Sequence, residues 1–306
     1  MVFFGPCWSV DSLPDFSGKS VFITGGNTGI GKHTVTELAR KNMGKIYLAG
    51  RNPTRCEAAI AEIKKEVPNA NIEYVKLDVS KLDDVKQVAE KFVNEHTSLN
   101  YLVNNAGIMA TPYELNNDGY EMQFATNYMG HALLTRIMLP LLEKTAKDGD
   151  EVKIINVSSF AHNFAPRVGI NFEDVNLTKG SVWDRYGQSK LANILLNNEL
   201  TKRYPQIKSY SLHPGFVRTD LYDGMNSTYG ILGRIANAVT KPFYITPYNG
   251  AITTLYCFSV EANDKAGEYL VPYGKVGSLT RNAKNQELSS KLWDWTTNEL
   301  TNKHYI

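Results

Sequence analysis

Apolar and polar positions fall into two kinds of block along most of the chain. Short runs such as Val21-Phe22-Ile23, Ile46-Tyr47-Leu48 and Ile154-Ile155 are continuously apolar and bounded by polar or glycine positions. That is the pattern of strands buried on both faces. Between them, apolar residues return every three or four positions, as at Leu191, Ile194 and Leu195, which is the period of an amphipathic helix. The pattern predicts strands over 20–24, 45–49, 72–77, 101–103, 152–157, 207–212 and 268–271. It predicts helices over 29–42, 54–66, 81–96, 119–144, 183–203 and 247–260, and a last one near 284–300. Strands alternating with helices imply right-handed crossovers and a parallel sheet with helices on both faces. Ligands then bind beyond the carboxyl ends of the strands. The expected fold is therefore α/β, a single doubly wound Rossmann-type domain over 1–306 with a seven-stranded parallel sheet. Segments 160–182 and 221–246 break the rhythm and are long for connections, which marks them as functional candidates.

Composition narrows the partners. With 42% apolar and 21% charged residues the chain is ordinary globular material. Its 33 basic and 31 acidic residues leave a net charge of +2, so nothing broad attracts nucleic acid or an anionic surface. Cys7, Cys56 and Cys257 are odd in number and widely spaced, which argues against a disulfide framework and favours a reducing, cytoplasmic setting. The opening Met-Val-Phe-Phe-Gly-Pro-Cys-Trp is apolar but lacks a basic start and is short for a signal sequence. It is expected to be part of an arm, 1–17, packed on the body. No apolar run reaches the length of a transmembrane helix.

The candidate chemistry begins where the first strand meets Gly25-Gly26-Asn27-Thr28-Gly29-Ile30-Gly31 and then a helical pattern. Glycines allow a tight turn and close approach of backbone to a pyrophosphate, and the helix start offers free N–H groups and a positive dipole end. About 20 positions further on, where an acid would bind the ribose 2′-hydroxyl of NAD, the chain reads Leu48-Ala49-Gly50-Arg51-Asn52. A planar cation there suits a 2′-phosphate, so the expected cofactor is NADP(H). Downstream, Tyr186 and Lys190 lie four apart on a helical pattern and so share one face. The six histidines, at 33, 96, 131, 162, 213 and 304, show no paired metal-ligand spacing and are read as packing or surface residues.

Together these motifs resemble the short-chain dehydrogenase/reductase family, beginning with Thr24-Gly25-x-x-x-Gly29-x-Gly31. The resemblance runs from about 18 to 300. It implies that Asp78 and Val79 lie at the adenine, and that Asn105, Ala106 and Gly107 close the fourth strand beneath the cofactor. It implies also that Pro214, Gly215, Val217 and Thr219 hold the nicotinamide carboxamide. It further implies a catalytic tetrad of Asn127, Ser159, Tyr186 and Lys190, with Ser158 a structural hydroxyl. In that mechanism Tyr186 exchanges a proton with the substrate oxygen, Ser159 orients the carbonyl, Lys190 binds ribose, and Asn127 supports a water beside the lysine.

Within the family, Asn27-Thr28-Gly29-Ile30-Gly31-Lys32, the Ser-Ser-Phe-Ala-His run at 158–162 and His213-Pro214-Gly215 resemble the retinol dehydrogenase-like branch. That implies a carbonyl reductase or retinol dehydrogenase-like enzyme acting on a small-molecule carbonyl or alcohol, an apolar ketone or aldehyde, with retinoids, steroids, lipid aldehydes and aromatic ketones among the branch's substrates. Segment 221–246 is rich in apolar residues, with Ile231, Leu232, Ile235 and Val239 at helical spacing. It is expected to be a lid over the substrate, the same stripe equally suiting a subunit interface in a homo-oligomer. Two rival readings are a non-catalytic NADP-binding sensor or scaffold on the same fold, and a lipid reductase touching a membrane through its N-terminus or lid.

Overall fold

The computed structural model describes residues 8–217 and 244–306. Its strands are β1 (Ser20–Thr24), β2 (Lys45–Gly50), β3 (Ile72–Lys76), β4 (Tyr101–Asn104), β5 (Lys153–Val157), β6 (Lys208–Leu212), β7 (Tyr269–Val271) and β8 (Lys275–Val276). They form one sheet in the order β3-β2-β1-β4-β5-β6-β7-β8. Every pairing is parallel except the last, β7 with β8, which is antiparallel. Among the described residues the sheet thus has eight strands rather than seven. The additional strand is two residues long and returns through a turn in which Tyr273 and Gly274 both take positive φ, 68° and 73°. Two residues are too few for alternation to register in the sequence.

The helices are α1 (Gly29–Arg40), α2 (Pro53–Glu66), α3 (Leu82–Glu95), a short α4 (Met122–Phe124), α5 (Gly130–Lys147), α6 (Val182–Arg203), α7 (Pro247–Tyr256) and α8 (Gln286–Asn302). Side chains alternate across the strands and build a core on each face. Val21, Ile23, Ile46, Leu48, Tyr101 and Val103 pack with Val35 and Leu38 of α1, Ile63 of α2 and Leu255 of α7. Phe22, Tyr47, Leu102 and Ile154 face the other way, toward Phe92 of α3, Leu134 of α5, Leu191 of α6 and Leu292 of α8. Continuous apolar runs were needed because both faces of each strand are covered.

The helix expected over 119–144 begins at Met122 and runs to Lys147 through one widened turn. Asn116 accepts from the N–H groups of Asp118 and Tyr120, Gly119 takes a φ of +83°, and Leu115 bridges Glu121 in antiparallel fashion. The Asn-Asn-Asp-Gly tetrad therefore makes a turn, as its side chains favour. Glu121 then caps α4 by accepting from the N–H groups of Gln123 and Phe124. Residues Ala125–Met129 form a π-helical turn whose close is the Gly130 N–H donating to Ala125 five residues back. Such wide turns recur at functional sites, and the one here contains Asn127. Among the described residues no helix is long and apolar enough to cross a membrane.

Candidate active site

The sheet order reverses between β1 and β4, and a cleft of about 640 Å³ opens at the carboxyl ends of the strands around that point. One wall is the turn from β1 into α1. A Cβ added to Gly31 would lie 2.2 Å from the Gly25 carbonyl oxygen and 2.7 Å from Asn105 Nδ2, so only glycine lets the helix start sit this close to the strand ends. Asn105 Nδ2 donates to the carbonyl oxygens of Thr24 and Gly25, at 2.8 and 3.2 Å. The backbone N–H groups of Asn105 and Ala106 both donate to Thr24 Oγ1 at 2.9 Å. The ends of β1 and β4 are thereby tied together beneath the cleft.

Gly25, Asn27, Thr28, Gly29, Ile30 and Gly31 line this wall, with Arg51, Asn52, Asp78 and Val79 further along and Asn105, Ala106 and Gly107 on the floor. Pro214, Gly215 and Val217 line the opposite side, whereas Thr219 and nearly all of the expected lid, 221–246, lie outside the described residues. Arg51 is exposed at the rim and makes no ion pair among the described residues. The Asp78 carboxylate accepts from the N–H and hydroxyl of Ser80, so it shapes the turn after β3.

At the inner end three side chains converge. Helix α6 starts with a capping box, Ser181 and Asp184 bonding each other's backbone N–H, which fixes the turn that carries Tyr186 and Lys190. A Cβ on Gly187 would fall 2.6 Å from the Ala165 nitrogen, so this glycine admits the 3₁₀ turn Phe160–Phe164, and with it Ser159, against the helix. Ser159 caps that turn by accepting from the Ala161 N–H at 3.1 Å. Ser158 donates to the Lys190 carbonyl oxygen at 2.6 Å and locks β5 to α6. Lys190 Nζ donates to the Val157 carbonyl oxygen at 3.0 Å and stands 5.8 Å from the centre of the Tyr186 ring.

Tyr186 and Lys190 are both buried, and desolvation disfavours the charged form of each. Burial pushes the phenol up to about 12, with the Ser159 hydroxyl beside it pulling the other way. Burial likewise brings the Lys190 ammonium down to about 7.

Asn127 lies behind the floor rather than in the cleft wall. Its amide pairs with both backbone groups of Ile108, at 2.9 and 3.0 Å, and donates to Ser189 Oγ at 2.9 Å. The structure sets Asn127 against Gly107, between Ile108 and α6, and gives its side chain no direct bond to Lys190. What the sequence did not single out is an aromatic wall. From Tyr186, ring centres step 6.4 Å to Trp183, 6.3 Å to Phe164, 6.1 Å to Phe160 and 6.1 Å to Phe216. All of these rings line the cleft, and Phe160, Phe164 and Phe216 are 47%, 47% and 52% exposed. These aromatics come from a 3₁₀ turn, the start of α6 and the segment after β6, so their convergence had no sequence signal.

Comparison with known proteins gives the same picture of kinship. A model of the short chain dehydrogenase family matches residues 19–173. The short-chain dehydrogenase/reductase drtF of Aspergillus calidoustus is 39% identical, covering 96% of this chain and 98% of its own length. Retinol dehydrogenase 12 of Bos taurus is 36% identical over 90% of this chain and 84% of its own. A crystal structure of a protein from Mycobacterium paratuberculosis superposes with a TM-score of 0.74 at 30% identity, covering 96% of this chain and 97% of that one.

Proposed function

The chain belongs to the short-chain dehydrogenase/reductase family, and from that premise we propose that it reduces bulky apolar ketones or aldehydes with NADPH, the reverse oxidation using NADP. The observation that carries this reading is the meeting of Ser159, Tyr186 and Lys190 at the inner end of the cleft that starts at the glycine turn. The cleft suits a dinucleotide. Gly31 leaves space that a Cβ would fill, and the start of α1 presents unpaired backbone N–H groups to a pyrophosphate. Arg51, with no acid near it at the end of β2, offers a bidentate partner for a 2′-phosphate.

When bound, the nicotinamide supplies or accepts the hydride. Tyr186 donates its proton to the carbonyl oxygen as charge develops there, and its raised pKa keeps the phenol neutral and ready for that step. Ser159 hydrogen-bonds the same oxygen and fixes the carbonyl's orientation. Lys190, anchored on the Val157 carbonyl, holds ribose hydroxyls and passes a proton inward to replace the one Tyr186 gives up. Asn127 holds Ile108 and Gly107 in place behind this relay.

The aromatic wall supports an apolar, extended substrate. Burying such a molecule against four rings is favourable, and aromatic faces add geometric preference. Trp183→Ala is expected to lower kcat/KM about tenfold for bulky aromatic ketones, in line with the loss of a large apolar contact. Small ketones and the KM for NADPH should change little. A steady-state panel of ketones and aldehydes of graded size checks this, and an equal loss on every substrate would remove the wall from substrate recognition.

A further inference from the structure

We infer that His131 is a positioning residue that fixes the orientation of the Thr24 hydroxyl and, through it, the two backbone amides on the floor of the cleft. The inference rests on the reading that this cleft holds NADP(H). His131 follows the π-helical turn and is 2% exposed. Its Nδ1 lies 3.2 Å from the Asn127 carbonyl oxygen. A carbonyl only accepts, so Nδ1 carries the ring's hydrogen. Burial, and to a smaller degree the charge of Lys190, push the imidazole down to about 4, against the bond to Asn127. A neutral ring protonated on Nδ1 has a lone pair on Nε2.

That nitrogen is 2.8 Å from Thr24 Oγ1, so the hydroxyl donates to it. The two lone pairs of Oγ1 are then left for the N–H groups of Asn105 and Ala106, each at 2.9 Å. One proton and two lone pairs are all used. The other acceptor near the hydroxyl, the Val103 carbonyl oxygen, is 3.4 Å away and competes poorly at that distance. Without Nε2 the hydroxyl loses its short acceptor and turns, and the pairing with the two amides loosens. Those amides belong to residues that line the cleft beside Gly25. His131 therefore joins the turn before α1, the end of β4 and the turn carrying Asn127 into one network, although it touches neither cofactor nor substrate.

The test is NADPH affinity, read by nicotinamide fluorescence on the full chain, with thermal unfolding recorded beside it. His131→Phe should weaken binding about tenfold, the scale of one buried hydrogen bond left unmade. His131→Gln places an amide oxygen where Nε2 was and should stay within about threefold of wild type. His131→Asn is polar but too short to reach Thr24, so it should behave like the Phe variant and serves where Phe disturbs folding. Thr24→Val should itself weaken binding, and adding His131→Phe to it should change affinity little further, because both act through one hydroxyl. Wild-type affinity in the Phe or Asn variant overturns the inference, even with a lowered Tm. So does a Gln variant no better than Asn, or full additivity with Thr24→Val. If the wild-type chain itself fails to bind NADPH, the cofactor reading falls and this inference falls with it.

Discussion

Replacing Tyr186 by Phe is expected to reduce turnover of an apolar ketone by NADPH at least ~100-fold, the lower end of what a positioned acid–base group contributes. NADPH affinity should be retained. Among the described residues the Tyr186 phenol is the one tyrosine lining the cleft, carried on α6 beside Ser159 with its ring centre 5.8 Å from Lys190 Nζ. Phe keeps the ring that packs near Trp183 at 6.4 Å, so packing is conserved while the proton is lost. The neighbouring Ser159 hydroxyl, which accepts from the Ala161 N–H, is an alcohol and a far weaker acid than a phenol, so it should not substitute. Initial rates under saturating NADPH, with binding measured separately, check the result. A variant with wild-type turnover would mean that the proton comes from elsewhere.

The second large effect concerns cofactor choice. Arg51→Asp should move the ratio of kcat/KM for NADPH over NADH toward NADH by about 100-fold, the scale of losing a charge-assisted bond and gaining repulsion against a phosphate. Arg51 stands exposed at the rim of the cleft, and among the described residues the substitution breaks no ion pair that would confuse the outcome. Measuring both cofactors in both proteins gives the answer, and an unchanged ratio or a wild-type preference for NADH would contradict the assignment.

Much of this site was legible because its signals are local. The glycine turn, the absent acid after β2 and the four-residue spacing of Tyr186 and Lys190 each lie within one short stretch, where spacing alone decides geometry. The strands were legible for a related reason, since burial on both faces demands unbroken apolar runs. What escaped depends on contacts between distant segments. Nothing near Asn127 in sequence announces that its amide clamps Ile108, 19 residues earlier, or that the helix widens into a π turn there. Trp183 of α6, Phe160 and Phe164 of one 3₁₀ turn, and Phe216 after β6 come from three separate segments and share no period. The sequence leaves His131 as a packing or surface residue, because a histidine with no partner at ligand spacing shows no role of its own. Only the fold brings Thr24 to its ring. The helix expected from 119 starts at Met122 for a local reason, since the turn-forming Asn-Asn-Asp-Gly run holds residues 116–119 before the apolar spacing takes over. The eighth strand is too short to have a pattern.

The central claim is hydride transfer from nicotinamide to a carbonyl carbon, and isotopic labelling tests it most directly. NADPH carrying deuterium at both C4 positions of the nicotinamide is incubated with the chain and a bulky apolar ketone, and the product alcohol is examined by mass spectrometry. The account predicts one deuterium on the carbinol carbon of the alcohol formed by the wild-type chain, and almost no product from Tyr186→Phe. NADPH bound tightly by the wild-type chain, yet no labelled alcohol from any apolar ketone or aldehyde offered, would contradict it and favour a cofactor-sensing role for the same cleft.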